Sequence, residues 1–404
     1  MPRSSRYVQD IVEAKSIKYN CRVYERTRRG EDTIVLSLGE AHFDIPLFPF
    51  DDLPMPAGYH YSDSRGIPEL RALLADYYES RFGVTVDPAT EIIVTAGSKI
   101  ALHMAFMAIL DPGDEVMIHE PAWVSYPEQV RLCHGQPVRL PYDTPVAEYG
   151  RFITSRTRAI VVNNPNNPTG RLLTRGEWEQ LHELADRHDL FIVSDEAYSD
   201  YVIEPGSFIS AAAFDPAKAH TIVCNTLSKN YGMSGWRVGY VITNEDLLFQ
   251  ILKVNQHLIT CPSTILEWYM VRHFHDVLAI TAPQIRDVVL KRREVARMLD
   301  DVGLRYLAGE GTFYLFASIG DSELGSDDFC TRLLEQRGVC AVPGVGYGDS
   351  CDRFIRLSVG SEPLDRIRTG VERIAQLVRE TAVTAAPAMT AGMAGTAAAA
   401  AARR

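Results

Sequence analysis

The 404-residue chain has no excess of positive charge, no paired cysteine motif and no long apolar run. A formal net charge of −11 leaves no broad basic surface for nucleic acid. The seven cysteines are odd in number, scattered and without CxxC spacing, which argues against a disulfide framework and a zinc site. The start, MPRSSRYVQD, lacks the apolar core of a signal peptide, and no stretch approaches membrane-spanning length. We therefore expect a cytoplasmic protein without a metal, a nucleic-acid partner or a membrane partner.

Several enzyme motifs are also missing from the sequence. It contains no GxGxxG, no GxxxxGK[ST] and no GxSxG, and GVGYGD has the wrong glycine spacing. His273 and His275 are two residues apart, a spacing that does not suit one face of a helix. A dehydrogenase and a hydrolase are therefore disfavoured.

Short apolar runs that lead into polar loops are the main pattern that is present. Helical patterns separate several of them, and this alternation predicts an α/β fold with a mainly parallel central sheet flanked by helices. In such sheets the chemistry gathers at the carboxyl ends of the strands. The runs are EIIVTAG (91–97), DEVMIHEPAW (114–123), RAIVVNNPNNPTG (158–170), LFIVSDEAY (190–198), HTIVCNTLSK (220–229) and WRVGYVITN (236–244).

The pattern changes near Thr281, where a long charged helical stretch begins. We expect residues 55–280 to form a large domain and residues 281–380 to form a smaller α+β domain. Residues 1–54 are expected to be an N-terminal arm and a segment that packs on the smaller domain. Residues 381–404 are alanine-rich and of low complexity, and we expect a disordered tail there.

One lysine stands out because only seven of the 41 basic residues are lysine. Lys229 follows the run TIVCNTLS, and arginine could not replace it where an amine must lose a proton. Asp195 ends the run LFIVSD, although a carboxylate at that place is most often solvated or paired with an arginine. Most lysines are likewise surface residues, so neither observation decides the function alone.

Other residues would complete a site for pyridoxal phosphate, which needs a Schiff-base amine, an acid facing its ring nitrogen and phosphate donors. The turn at Gly97 and Ser98 opens a helix, and its backbone N–H groups could meet a phosphate. Thr226 and Arg237 flank Lys229 and could add hydroxyl and charge-assisted bonds. Trp123 could stack on a ring, although a core tryptophan is at least as common.

These segments together resemble a class I/II aminotransferase of pyridoxal phosphate fold type I, in the broad aspartate and aromatic branch. The resemblance runs from about Val35 to Glu380, and several motifs in the right order make it specific. The motifs are LSLGEAHFDIP, YSDSRGIPELR, TAGSKIAL, EPAWVSYPE, NNPNNPTG, SDEAYSDY, LSKNYGMSGWRVGY and FIRLSVG.

The resemblance implies that pyridoxal 5'-phosphate is the cofactor and that residues 55–280 are the cofactor-binding domain. Lys229 would form the Schiff base and move the proton, Asp195 would keep the ring nitrogen protonated, and Tyr198 would complete the catalytic set. The remaining implied contacts are Asn167 with Tyr198 on the phenolic oxygen, Trp123 on the ring, Gly97, Ser98, Thr226 and Arg237 on the phosphate, Tyr61 from the neighbouring subunit of a homodimer, and Arg356 with Gly39 and Asn167 on the substrate.

Some positions leave alternatives open. The family's GEPDFDTP turn is GEAHFDIP here, with Ala41 and His42 in place of proline and aspartate, and His42 is either a substrate contact or an exposed loop residue. Lys99, grouped with the cofactor site, either serves a substrate's side-chain carboxylate or only begins a helix. No second arginine for dicarboxylates is evident, so the amino donor stays open.

The function implied is transfer of an amino group from an L-amino acid to a 2-oxo acid, with 2-oxoglutarate as the expected acceptor. The same residues would also support elimination, γ-replacement, racemisation or oxidation after loss of the Cα proton. A regulator that keeps the cofactor for sensing is a more distant alternative, because no basic helix-turn-helix segment precedes the domain.

Overall fold

The computed structural model describes residues 2–204 and 206–382. The alanine-rich segment expected to be a disordered tail therefore lies outside the described residues, apart from Thr381 and Ala382. Ala382 forms an isolated antiparallel bridge with Ser322. Within the described part of the chain, no helix is both long and apolar enough to cross a membrane.

A seven-stranded sheet forms the centre of the large domain, in the order β2-β8-β7-β6-β5-β3-β4. All neighbours are parallel except β8, which runs antiparallel to β7 and β2. The prediction of a mainly parallel sheet is confirmed. The strands are β1 Ile34–Val35, β2 Ile92–Thr95, β3 Glu115–His119, β4 Gln136–Leu140, β5 Thr157–Asn163, β6 Phe191–Asp195, β7 Thr221–Thr226, β8 Gly239–Ile242, β9 Tyr314–Ser318, β10 Val339–Cys340, β11 Val342–Pro343 and β12 Phe354–Ser358.

Helices bury both faces of this sheet, which is why its strands are apolar at consecutive positions. The helices are α1 Arg6–Gln9, α2 Lys15–Arg28, α3 Met55–Gly58, α4 Pro68–Phe82, α5 Ser98–Ile109, α6 Tyr126–Leu132, α7 Arg175–His188, α8 Leu227–Asn230, α9 Glu245–Leu258, α10 Thr264–Asp301, α11 Ser326–Arg337 and α12 Leu364–Glu380. Val116 and Val161 pack in the cluster with α5, α6 and α9, while Met117 and Ile160 face α7 on the other side.

Local sequence explains several helix ends. Thr174 caps α7 in a reciprocal capping box with Glu177, and Asp189 ends the helix in the left-handed conformation. α4 starts with Pro68 in its first turn and ends at Gly83, which has φ of 67°. These ends fix where the connecting loops leave the sheet.

The smaller domain is built on the antiparallel sheet β11-β12-β9 with α11 and α12. Tyr19 and Leu36 from the N-terminal segment share its apolar core, and β1 pairs with β10 in parallel. Helix α10 runs through the expected boundary at residues 280 and 281, with a kink at His273. The division at residues 54, 280 and 380 stays a prediction.

Candidate active site

The carboxyl ends of three neighbouring strands meet at one edge of the large sheet. β5 ends at Asn163, which pairs in register with Asp195 at the end of β6, and Asp195 pairs with Cys224 of β7. The Asn163 amide donates to the backbone oxygen of Asp195 at 2.9 Å and its side-chain oxygen accepts from the Asn167 N–H at 2.7 Å. The sheet register therefore brings Asn167 beside Asp195.

Lys229 lies in the four-residue helix α8, whose start is capped by the Thr226 side chain. Its ammonium donates to the Gly39 carbonyl at 2.6 Å. Burial lowers the pKa of Lys229 to about 8; the charge of Glu40 opposes this shift and that of Arg356 adds to it. The amine can therefore lose its proton at far smaller cost than a surface lysine.

Asp195 is a buried carboxylate that accepts from the Tyr126 hydroxyl at 2.6 Å and from the Ala197 N–H at 3.1 Å. Burial raises its pKa, although these two bonds and the charge of Lys229 oppose the rise. Across residues 2–204 and 206–382, no basic side chain reaches ion-pair distance of this carboxylate. A buried carboxylate that lacks a basic partner is complementary to a positively charged group of a ligand.

A cluster of donors lies at the start of α5. Gly97 has a φ of 89°, which other residues adopt only with strain, and an added Cβ there would also displace the end of the Arg237 side chain. Arg237 donates to the Ser234 carbonyl at 2.7 Å and to the Ser228 hydroxyl at 3.3 Å. Thr226 donates to Ser228 at 2.8 Å. Together with the Ser98 N–H at the helix start, this cluster suits a phosphate.

Arg356 lies in β12 of the smaller domain and is 2% exposed. It donates to the Ser37 carbonyl at 2.6 Å and to the Asn167 side-chain oxygen at 3.4 Å. No carboxylate of the described residues pairs with it, and its Nε–H is buried without a partner there. A buried guanidinium with a free N–H is suited to an incoming carboxylate.

The remaining residues predicted for the site differ in their burial and in their contacts with other site residues. Tyr198 is buried, and its hydroxyl lies 2.9 Å from that of Tyr314. Trp123 is partly buried, with the Lys99 ammonium 5.1 Å from the centre of its ring. Tyr61 is 86% exposed and His42 is also exposed. The structure therefore brings most of the expected site together and leaves Tyr61 at the surface of the single chain.

The donor set fits pyridoxal phosphate part by part. The carboxylate of Asp195 suits a protonated ring nitrogen, the amine of Lys229 suits an aldehyde, and the cluster around Gly97 and Arg237 suits the phosphate. The sheet order and these donors define a pyridoxal phosphate enzyme of fold type I.

Comparison with known proteins gives the family. The family described as aminotransferase class I and II matches residues 55–374. The chain is 30% identical to aromatic-amino-acid aminotransferase 2 of Thermococcus litoralis, over 89% of this chain and 95% of the relative. It is 34% identical to the aspartate/prephenate aminotransferase of Thermus thermophilus, over 93% and 98%. The chain belongs to the class I and II aminotransferases, and it is a pyridoxal phosphate-dependent transaminase.

Solved structures agree with this assignment. The aspartate aminotransferase of Thermus thermophilus with maleate superposes with a TM-score of 0.84 at 33% identity, covering 93% of this chain and all of the other. The predicted family, fold type, activity and cofactor are confirmed. The roles of the individual site residues stay predictions.

Four residues around the site were not identified from the sequence. Tyr126 bonds Asp195, Ser228 joins the phosphate cluster, Tyr314 bonds Tyr198, and the Glu40 carboxylate accepts from the Ser234 hydroxyl. Tyr126, Ser228 and Glu40 could have been suspected, because each lies inside a motif that carried the resemblance. Tyr314 lies outside those motifs, and no local signal indicated it.

Proposed function

We propose that this transaminase moves the amino group of an L-amino acid to a 2-oxo acid, with 2-oxoglutarate as the acceptor and Lys229 as the catalytic lysine. The observation that carries the proposal is the Lys229 amine just beyond the end of β7, which donates to the Gly39 carbonyl at 2.6 Å and whose pKa burial lowers to about 8. An amine of this kind serves both as covalent partner and as proton carrier.

The chemistry that pyridoxal phosphate supplies when bound is withdrawal of electrons from the Cα of an attached amino acid, so that its proton becomes acidic. Lys229 would accept that proton at its Nζ atom. It would then donate the proton again later in the same half-reaction. The negative charge of Asp195 would favour a protonated ring nitrogen. Asn167 and Tyr198 would hold the phenolic oxygen by donating to it, and Trp123 would pack on the ring.

Substrate and phosphate are held by separate groups. Gly97, Ser98, Thr226 and Arg237 bind the phosphate. Arg356 grips the substrate carboxylate through Nε and one terminal nitrogen, with Asn167 beside it. Gly39 contributes its backbone, whose carbonyl accepts from Lys229 in the resting chain at 2.6 Å.

A two-step half-reaction tests the proposal. Incubation with a single amino acid should yield one equivalent of its 2-oxo acid, and 2-oxoglutarate should restore the starting absorption spectrum. Release of ammonia or peroxide instead would favour a lyase or an oxidase. Borohydride reduction followed by peptide mapping should place the label on Lys229, and Lys229→Ala should abolish turnover while the control Lys253→Ala, at a surface lysine of α9, keeps it.

The donor class follows from the same assay. Relatives carry the names of aspartate, prephenate and aromatic amino acid aminotransferases. A screen of acidic, aromatic, aliphatic and basic amino acids in the first half-reaction ranks the donors by rate. If acidic donors react fast and Lys99→Ala reduces that rate alone, Lys99 would be assigned to their side-chain carboxylate.

We also propose a cytoplasmic homodimer in which Tyr61 reaches the phosphate of the neighbouring subunit. The exposure of Tyr61 in the single chain supports this arrangement. Mixing Tyr61→Ala with Lys229→Ala subunits creates one complete site in each mixed dimer, so about a quarter of the wild-type activity should return after random exchange. No recovery with proven exchange would contradict a shared site.

A further inference from the structure

Tyr314 touches three parts of the site at once. It is 1% exposed at the start of β9, and its hydroxyl lies 2.9 Å from that of Tyr198. The Arg356 guanidinium lies 4.4 Å from the centre of its ring. An added Cβ at Gly39 would come within 3.3 Å of its hydroxyl oxygen, so the same phenol also lies against the residue that accepts from Lys229.

Sheet register and a buried arginine hold this side chain in place. β9 and β12 are antiparallel, with Arg356 opposite Phe316 and Ser358 opposite Tyr314, so Tyr314 and Arg356 are diagonal neighbours on one face. Arg292 is 2% exposed and donates to the Tyr314 carbonyl at 2.6 Å and to the Thr169 carbonyl at 2.9 Å. The backbone of Tyr314 is thereby tied to the loop that carries Asn167.

The surroundings decide which of the two phenols donates. Burial raises the pKa of Tyr198, and the neighbouring Tyr314 raises it further. Burial also raises the pKa of Tyr314, but Arg356 and the bond with Tyr198 oppose that rise. Arg356 opposes the rise at both phenols, and its guanidinium lies against the Tyr314 ring. Each phenol carries one proton, so a Tyr198 hydroxyl that donates to the cofactor must accept from Tyr314 across the 2.9 Å contact.

We propose that Tyr314 is a positioning residue that donates its hydroxyl proton to Tyr198, so that the Tyr198 proton is directed to the phenolic oxygen of the cofactor, while its ring supports Arg356. The inference rests on the proposed roles of Tyr198 and Arg356. Donation in a chain of hydroxyls strengthens the next bond, so Tyr314 should tune the cofactor without touching it.

Tyr314→Phe tests the hydroxyl while it keeps the ring against Arg356. In the cofactor-loaded enzyme, the pH midpoint of the visible absorption change should rise by about half a unit, because a weakened bond from Tyr198 stabilises the oxygen less. kcat should fall roughly threefold to tenfold with KM for the amino acid within about twofold. Tyr24→Phe, at a tyrosine of α2 that is 59% exposed, is the control and should leave both unchanged.

A double-mutant cycle separates this role from ordinary packing. In a Tyr198→Phe background, Tyr314→Phe should shift the midpoint no further. An equal shift in both backgrounds, or no shift in the wild-type background, overturns the inference. Tyr314→Leu, which also removes the ring, should instead raise KM for the amino acid about tenfold. An unchanged KM would contradict the claim that the Tyr314 ring holds Arg356 in place.

The same experiments keep this inference separate from the proposed function. Borohydride labelling of Lys229 in the wild type tests the proposed site and does not depend on Tyr314. If labelling fails, the proposed function fails; if labelling succeeds and the midpoint of Tyr314→Phe does not move, only the role of Tyr314 fails. Melting temperatures of the cofactor-free variants show whether each one folds.

Discussion

Replacing Arg356 with lysine keeps the positive charge and removes the planar fork. The two terminal nitrogens of the guanidinium already donate hydrogen bonds, one to the Ser37 carbonyl at 2.6 Å and one to the Asn167 side-chain oxygen at 3.4 Å. The Nε–H is buried and has no partner among the described residues. Lysine cannot make a paired bond with a carboxylate from that position. Loss of one charge-assisted bond costs about 1.5 to 3 kcal/mol, or roughly 10- to 150-fold in kcat/KM.

The assay compares an amino acid with the corresponding amine that lacks the carboxylate. In the wild type, removing the carboxylate from the substrate should reduce kcat/KM strongly, and in Arg356→Lys the same removal should matter much less. Arg353→Lys is a matched control, because Arg353 stands just before the same strand and donates to the carbonyls of Leu324 and Gly320 outside the site. We expect its kcat/KM to stay within about twofold of wild type.

One result would refute the reasoning about Arg356. If Arg356→Lys lowered kcat/KM by the same factor for the amino acid and for the amine, the arginine would not be bonding the carboxylate. The visible spectrum of the loaded variant must stay like that of the wild type, since a changed spectrum would indicate a displaced cofactor.

Three further predictions concern other groups. Asp195→Asn should lower kcat by roughly 100- to 1,000-fold while Lys229 is still labelled by borohydride, because charges about 4 Å apart interact by about 4 kcal/mol before desolvation; an unchanged kcat would remove Asp195 from the site. Trp123→Ala should weaken cofactor retention about tenfold in equilibrium dialysis, and unchanged retention would indicate ordinary packing. Burial raises the pKa of Glu267 to about 7, so the folded state should lose on the order of 3 kcal/mol as pH rises from about 4.5 to 7. Denaturant titrations of Glu267→Gln should lack this loss, whereas the exposed control Glu179→Gln should retain it; identical profiles for both variants would contradict the assignment.

Sequence reasoning found the parts of the site that short motifs carry. Asp195 ends β6 and Lys229 follows the end of β7, and strand ends in a parallel sheet meet at one edge. Arg356 lies inside β12 of the antiparallel sheet, and it was found from the motif FIRLSVG. Contacts between residues far apart in the sequence were harder to predict. Tyr314 and Tyr198 are 116 positions apart and meet only because β9 packs against the large domain. No local pattern encodes such a contact.

Strand β4 was not among the apolar runs that predicted the sheet. It is an edge strand with the sequence QPVRL, and its proline and arginine interrupt the apolar pattern. Proline is tolerated in edge strands. The change of pattern near Thr281 marks a change in charge and exposure along α10, since the helix itself began at Thr264. The residue composition of a helix reflects how exposed each part of it is, whereas the positions of its ends depend on capping residues and kinks. The charged pattern near Thr281 therefore did not mark the start of the helix.

Two segments far apart in the sequence meet at Arg356, whose guanidinium donates to the Ser37 carbonyl 319 residues earlier. During synthesis, the lysine and the acid are therefore available well before the group for the substrate carboxylate. A nascent chain released before β12 would lack both the arginine and the strand that fixes it. Such a fragment should process no amino acid, because the guanidinium proposed to hold the substrate carboxylate would be missing.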